Sequence, residues 1–324
     1  MTTMKVYSGN DARPAERSAV VTLGTFDGVH RGHQAVLKST VAWARELNAL
    51  AGVITFSEHP RKTLEKRSPD LVTTLEHRLV LFDRAHIDFT WVLEFTPELS
   101  LLTAREFAST YFVDRLGIRG LLMGFDSRFG SDRMSQDSPE LEPLAAELKF
   151  AVRRAASVLS PDGDVISSTK IREAICDGRL RDAEAMLGRP VSVYGTVIKG
   201  DARGRRLGYN TANLDLGHEV RPPFGVYATV AIVDGVRHSS ITNVGYRPTI
   251  TQNLPPGAKP DLLIETHLFD FHADLYGKKI EVLFIEKLRD ERRFPDVEAL
   301  VEQIRKDEAR ARAIFDARKE ADAK

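Results

Sequence analysis

The apolar pattern of this chain changes character once, at Leu187-Gly188-Arg189-Pro190, and that change constrains the fold more than any other feature. Before it, short β-branched runs alternate with stretches of helical spacing. Residues 19–24, 51–56, 89–95 and 120–124 read as strands, and 34–48, 75–85 and 104–117 as helices, the last closed by Gly117. Ala35, Leu37, Val41, Ala44 and Leu47 mark the apolar side of the first helix. Strands alternating with helices predict an α/β unit, a parallel sheet with crossover helices. Beyond the change, strands dominate: 191–200, 225–236, 239–245, 262–271 and 279–288, with partial period-two alternation. Asp234-Gly235 is a hairpin signal, and Pro222-Pro223 and Pro255-Pro256-Gly257 mark loops. This half predicts an antiparallel barrel or sandwich, followed by a terminal helix over 296–319 that turns Val297, Leu300, Val301, Ile304, Ala311 and Phe315 to about one side. With 324 residues the chain exceeds one compact core, and the boundaries fall at 1–186 and 187–324.

Lysine plus arginine equals aspartate plus glutamate, 46 each. No whole-molecule field draws the chain to nucleic acid or to an anionic membrane, so an anionic ligand must be met by local donors. The single cysteine, Cys176, excludes an intramolecular disulfide and reads as a small buried or half-buried residue in a helix. The N-terminus carries no signal-peptide pattern, and no run of about 18 apolar residues occurs. The expected address is the cytoplasm, and the expected state a monomer or weak homo-oligomer.

Two segments carry chemistry. The first, Gly24-Thr25-Phe26-Asp27-Gly28-Val29-His30-Arg31-Gly32-His33, joins a parallel strand to a helix at the strand's carboxyl end, where open α/β sheets bind ligands. Glycines at 24, 28 and 32 admit close backbone approach, and free amides at a helix start favour phosphate. His30 and His33, three apart, share a helix face and can meet charge leaving one phosphorus. The second segment is 195–214, GTVIKGDARGRRLGYNTANL, where glycines at 200, 204 and 208 interleave with Lys199, Arg203, Arg205 and Arg206, suiting a loop over ATP phosphates. Thr211 and Asn213 offer hard oxygen ligands of the kind Mg²⁺ takes. Alternation in 262–271 sets Glu265, His267 and Phe269 on one face, and a strand glutamate beside apolar residues can act as a general base for an alcohol. Histidines 77, 86, 218, 238 and 272 show no metal-ligand spacing, and 289–293 reads as a solvated turn.

In its longer context, GTFDGVHRGHQ after a strand resembles the HxGH nucleotidylyltransferase superfamily, and in particular the N-terminal domain of bacterial bifunctional riboflavin kinase/FAD synthetases. TFSEHP (55–60), GFDSRFG (124–130) and ISSTKIR (166–172) continue the resemblance. It implies that Gly24, Phe26, Asp27, Gly28, His30, His33, Ser167, Ser168, Thr169 and Arg172 meet ATP, with His30, His33 and Arg172 catalytic. It also implies that His59, Pro60, Asp126 and Phe129 meet FMN. Ser168 or Thr169 would cap a helix whose first turn carries Arg172. The second half resembles the riboflavin kinase domain over nearly its whole length, through 195–213, GVYATV, NVGYRPT, IETHLFDF with HADLYGKKIEV, and the last helix. That gives Lys199, Gly200, Gly204, Arg205, Gly208, Thr211 and Asn213 to Mg-ATP, with Thr211 and Asn213 on the metal. Glu265 becomes the base for the ribityl 5′-hydroxyl, and Arg289 borders the flavin. The substrates implied are riboflavin, FMN and ATP, with FAD as a product. The chain departs from the family pattern at Ser57 and Glu58, at Ser127 in place of an aromatic, and at Asn210 in place of proline. A monofunctional kinase with a degraded first domain therefore stands beside the bifunctional reading; against a flavin- or nucleotide-binding regulator without turnover speak His30, His33, Thr211, Asn213 and Glu265.

Overall fold

The computed structural model describes residues 4–12, 14, 18–60, 63, 70–160, 162–200, 209, 211–217, 219–246 and 262–322. The chain divides into two compact units, Met1–Ser168 and Thr169–Lys324.

The strands of the first unit are β1 (Lys5–Ser8), β2 (Ala19–Leu23), β3 (Leu50–Phe56), β4 (Phe89–Leu93), β5 (Gly120–Met123), the short hairpin β6 (Arg128–Phe129) and β7 (Met134–Ser135), and β8 (Ala151–Arg154). Six of them make one sheet in the order β1-β4-β3-β2-β5-β8, parallel at every pairing. The chain runs from β2 outward through β3 and β4, then returns to β5 and β8 on β2's other side. Such a reversal opens a crevice at the carboxyl ends of β2 and β5.

All five residues of β2 are buried because both faces of the sheet are covered. Val20 packs with Leu37, Val41 and Trp43 on one face. Val21 and Leu23 pack with Trp91, Phe107 and Phe112 on the other. A strand dry on both faces reads as a continuous apolar run rather than an alternating one, which is the pattern of AVVTL. The helices are α1 (Arg31–Glu46), α2 (Leu75–Arg84), α3 (Pro97–Leu101), α4 (Ala104–Phe107), which continues as a π-helix over Ala108–Leu116, and α5 (Leu141–Glu147). Helix α1 begins three residues earlier than its apolar spacing predicts. It buries Val36, Thr40 and Trp43 beside Leu37, Val41 and Ala44, whereas Leu47 lies past its end and is half-buried. The segment 104–117 is helical as expected, with a Thr103–Glu106 capping box at its start and Gly117 at φ 59° closing it. Its π register is not distinguished by apolar spacing.

Helix α6 (Ser168–Cys176) begins on the last residue of the first unit; α7 (Leu180–Leu187) follows in the second. Cys176 is exposed, contrary to the sequence expectation: Ile171, Ala174 and Ile175 take the buried face and turn the thiol outward. The strands β9 (Ser192–Ile198), β10 (Thr211–Asp215), β11 (Gly225–Val233), β12 (Val236–Tyr246), β13 (Leu262–Leu268) and β14 (Lys279–Arg289) close into a barrel in the order β10-β13-β12-β11-β14-β9. Of the two antiparallel architectures left open by the pattern, the barrel is the one formed. Two register irregularities between β11 and β14 supply the local bending that closure needs. Strand β10, which carries Thr211 and Asn213, is too short for its alternation to stand out. The last helix, α8 (Val297–Asp322), sets Ala311 and Phe315 against Val226, Ala228, Ile241 and Leu288. Val297, expected on that face, is exposed in the helix's first turn.

Close approach of α1 to the sheet depends on Gly120. A Cβ there would meet the Trp43 ring at 2.5 Å. Gly120→Ala is expected to destabilise the first unit by about 1–3 kcal/mol, the usual cost of an extra methyl in a filled core. Both tryptophans of the chain, Trp43 and Trp91, lie in this unit, so denaturation followed by their fluorescence reads the loss directly.

Candidate active sites

The loop between β2 and α1 holds an unusual backbone. Gly28 has φ 82°, and Phe26 and Val29 have φ 52° and 40°. For a β-branched residue such a conformation is a strained one that its surroundings must enforce. Several contacts do so. The Gly28 amide donates to Thr73 Oγ1 at 2.8 Å, and the Thr73 amide donates to Asp27 Oδ1 at 3.0 Å. The Ser168 hydroxyl donates to the Asp27 carbonyl at 2.9 Å. Beneath the loop, Arg78 donates through Nη1 to the Thr25 carbonyl and to Thr55 Oγ1 at 3.0 Å, and through Nη2 to the Phe56 carbonyl at 3.1 Å. This guanidinium is 4% exposed. Burial lowers its pKa to about 10, with Asp27 pulling the other way, so it stays charged at neutral pH.

On this base, His30 becomes the N-cap of α1, and its Nδ1 accepts the His33 amide at 3.4 Å. The His30 and His33 rings stack, with centroids 3.6 Å apart and planes 18° from parallel. Phe26 meets His33 edge-on at 5.1 Å. The two imidazoles therefore share one side of the helix start. They border a cavity of about 600 Å³ at the carboxyl ends of the sheet.

That cavity gathers Gly24, Phe26, His30, His33, His59, Pro60, Asp126, Phe129, Ser167 and Ser168 from four separate stretches. Asp27 and Gly28 are not in its wall; they stand behind it and hold the loop. Thr169 and Arg172 belong to the second unit, on α6. Ser127 lines the cavity too, and its hydroxyl donates to the Leu23 carbonyl at 3.3 Å, which ties the β6–β7 hairpin to the end of β2. Sequence reasoning missed Arg78, yet a signal was there: position 78 lies three and four residues before Leu81 and Phe82, on the buried stripe of α2. A charged residue in that stripe has to be serving something.

In the second unit, β10 pairs with β13 so that Asn213 stands directly across from Glu265, and Thr211 across from His267. Residues opposite or two apart share a face, so Thr211, Asn213, Glu265 and His267 lie together. The Thr211 hydroxyl donates to Glu265 Oε1. Asn213 is buried, and a Cβ on Gly200 would meet its Nδ2 at 2.1 Å, so the chain after β9 passes tightly over that amide. A cavity of about 300 Å³ is lined by Gly200, Thr211, Asn213 and the 271–276 loop. Glu265 reaches it through Thr211 rather than lining it. Lys199 is exposed at its edge of the sequence, next to Gly200. Gly204, Arg205 and Gly208, together with Asn210, lie outside the described residues. A hydroxyl whose proton goes to a carboxylate keeps lone pairs for a metal, and an amide oxygen is a hard donor, so Thr211 and Asn213 fit Mg²⁺.

Arg289 closes β14, and 290–293 follow as exposed chain. The solvated turn expected over 289–293 thus excludes its first member. The Arg289 Nε donates to Asp307 at 2.9 and 3.2 Å, and Asp307 is buried, so the guanidinium clamps the barrel to α8.

Comparison with known proteins agrees with this geometry. The FAD synthetase family model matches residues 12–170 and the riboflavin kinase model residues 187–315. A bifunctional riboflavin kinase/FMN adenylyltransferase from Pseudomonas fluorescens is 36% identical over 305 residues, 94% of this chain and 96% of that one. Its counterpart from Escherichia coli K12 is 34% identical over 316 residues, covering 96% and 98%. The chain belongs to the bifunctional riboflavin kinase/FMN adenylyltransferase family. Among solved structures, one described as a macrolide-efflux protein from Streptococcus pneumoniae shares the fold at TM-score 0.78 and 30% identity, over 95% of this chain and 99% of its own. Among the described residues no helix is long and apolar enough to cross a membrane.

Arg78→Met would leave the Thr25 and Phe56 carbonyls dry beneath a strained loop. A loss of roughly 2–4 kcal/mol from the first unit is expected, since each unsatisfied buried acceptor costs about 1–3 kcal/mol. Tryptophan fluorescence in urea checks it, and a midpoint equal to the parent's would deny Arg78 this part.

Proposed function

We infer that this family member phosphorylates riboflavin to FMN on a barrel domain, residues 187–324, and adenylylates FMN to FAD on a domain built around the parallel sheet, residues 1–186. The observation that carries the first reaction is the register of β10 against β13, which joins a candidate base to two candidate metal ligands. In that reading the Glu265 carboxylate accepts the proton of the ribityl 5′-hydroxyl as its oxygen attacks the γ-phosphorus of ATP. The new O–P bond forms as the bond to the β-phosphate oxygen breaks, and ADP leaves. The Thr211 hydroxyl orients the carboxylate. Bound through Thr211 and Asn213, Mg²⁺ supplies neutralisation of charge on the ATP oxygens. Lys199 and Gly200 bring the start of the basic loop to the phosphates, and Arg289 borders the flavin while anchored on Asp307.

The stacked histidines support the second reaction. A phosphate oxygen of FMN attacks the α-phosphorus of ATP, and pyrophosphate leaves. The free amides and positive end of α1 meet the triphosphate. His30 and His33 stabilise the charge that develops, aided by Ser167 and Ser168. His59, Pro60, Asp126 and Phe129 receive the flavin. Despite the departures at Ser57, Glu58 and Ser127, a cavity of about 600 Å³ is present, with Ser127 in its wall and bonded to the Leu23 carbonyl. This favours two activities over a kinase with a degraded first unit. A cytoplasmic address and a monomer or weak homo-oligomer complete the reading.

Glu265→Gln is expected to cut FMN formation from riboflavin about 10²–10⁴-fold, the worth of a positioned base. ADP binding, and FAD formation from supplied FMN, should be unchanged. Conversely, His30→Ala and His33→Ala should each lower pyrophosphate release from FMN and ATP by about 10²–10³-fold while sparing the kinase. Full FMN formation by the glutamine variant would remove Glu265 from the role of base. Normal pyrophosphate release by the alanine variants would do the same for the histidines.

A further inference from the structure

An adenylyltransferase that takes FMN must tell it from riboflavin, which differs only by one phosphate. Nothing assigned so far meets that group. The wall of the first-unit cavity offers two kinds of surface. Phe56, Phe95, Phe107 and Phe129 supply apolar area for a flavin ring. Arg128 and Arg133, on the β6–β7 hairpin, supply two guanidinium groups, both exposed. Against them the wall carries a single carboxylate, Asp126.

Several other arginines of this unit are committed. Arg105 pairs with Glu147, Arg153 with Glu46 and Arg154 with Glu142. Among the described residues the guanidiniums of Arg128 and Arg133 have no hydrogen bond or ion pair. Two unpaired cations on one rim repel each other mildly, and an anion between them relieves that. The hairpin that presents them is held at three points. The Ser131 amide donates to the Leu102 carbonyl at 2.8 Å, the Ala104 amide to Asp132 Oδ1 at 2.9 Å, and the Ser127 hydroxyl to the Leu23 carbonyl at 3.3 Å. The cations are therefore carried on an anchored support.

We propose that Arg128 and Arg133 read the 5′-phosphate of the flavin, so that the cavity selects a phosphorylated flavin over an unphosphorylated one. This rests on the adenylyltransferase reading of the same cavity. The hairpin bears Phe129 on the flavin side, whereas the nucleotide phosphates have the helix start and the histidine pair. The two arginines also offset the repulsion between the FMN phosphate and the triphosphate it must approach. They hold the attacking oxygen's group and take no proton.

The test uses the full-length chain with Arg128→Gln, Arg133→Gln and the double variant, assayed for FAD from FMN and Mg-ATP. Lumiflavin, the ring system without a ribityl chain, serves as inhibitor. It cannot be phosphorylated and probes the ring seat alone. The expected result is a KM for FMN raised about 10–100-fold in the double variant, the usual worth of a charge-assisted contact. The KM for ATP and the inhibition constant of lumiflavin should stay within about twofold of the parent. Arg128→Lys should recover part of the loss. A urea midpoint by tryptophan fluorescence equal to the parent's, both tryptophans lying in this unit, reports that the variants are folded. An unchanged KM for FMN overturns the proposal. So does a rise carried by ATP, which would give the pair to the nucleotide, or an equal weakening of lumiflavin, which would make it part of the ring seat. If the parent chain itself makes no FAD, the reading of the cavity fails together with the proposal; FAD from the parent with unmoved variants overturns the proposal alone.

Discussion

Polyphosphates must be held here by a chain whose formal charge is zero. Without a long-range field, the donors have to be close and fixed, and a fixed donor is a backbone problem before it is a side-chain one. Both sites are built accordingly. In the first unit the candidate donors are the amides at the start of α1, set where the sheet order reverses. In the second the candidate metal ligands are oxygens on β10, set beside Glu265 by the register of the adjacent strand. Each arrangement is only as good as the backbone underneath it.

That dependence explains why the strained loop before α1 is so heavily tied down. Phe26 and Val29 at positive φ each carry a cost of order 1–3 kcal/mol. The gain is geometric: the chain turns sharply enough to bring His30 to the cap and His33 to its side. Arg78 is the counterweight. Its single guanidinium spans carbonyls from the end of β3 and from the β2 loop, so the two strand ends cannot drift apart without breaking a charged fork. A lysine could supply the charge but not the two-pronged reach.

How far this was legible in the sequence depends on whether the determining contact is local. The continuous apolar run of β2 and the alternation of β13 are set by which faces are dry, and both were readable. So was the His30–His33 juxtaposition, because three-residue spacing at a helix start is a local fact. The Thr211–Glu265 contact was not local. It joins residues 54 apart in sequence through strand register, which alternation alone leaves undetermined. Arg78 was missed for a related reason: its partners come from two other strands' ends. Cys176 reads as buried or half-buried because nothing near it in sequence pairs with a thiol, yet the 3.6-residue period turns position 176 away from Ile171 and Ala174. Arg289 fell into an apparent charge run, and only the packing of α8 brings Asp307 to it.

The barrel's interior accounts for the precision of its outer face. Six strands leave little room inside, and β11, β12 and β13 fill it in part with Thr229, Ser240, Thr242 and Thr266, each fully buried. Their hydroxyls lie within 2.7–2.9 Å of one another in sequence Thr266, Thr242, Thr229, Ser240. Ser240 donates to the Thr229 carbonyl at 2.9 Å, which fixes the direction of the whole chain, since each hydroxyl has one proton: Thr266 gives to Thr242, Thr242 to Thr229, and Thr229 to Ser240. A dry set of hydroxyls is tolerated only when every proton has a destination, and a one-residue slip of β13 would strand the proton of Thr266. Thr266 sits between Glu265 and His267 and points inward, which obliges Glu265 to point outward, across from Asn213 and beside Thr211. The polar ladder within the barrel is thus what keeps the candidate base in register with its partners.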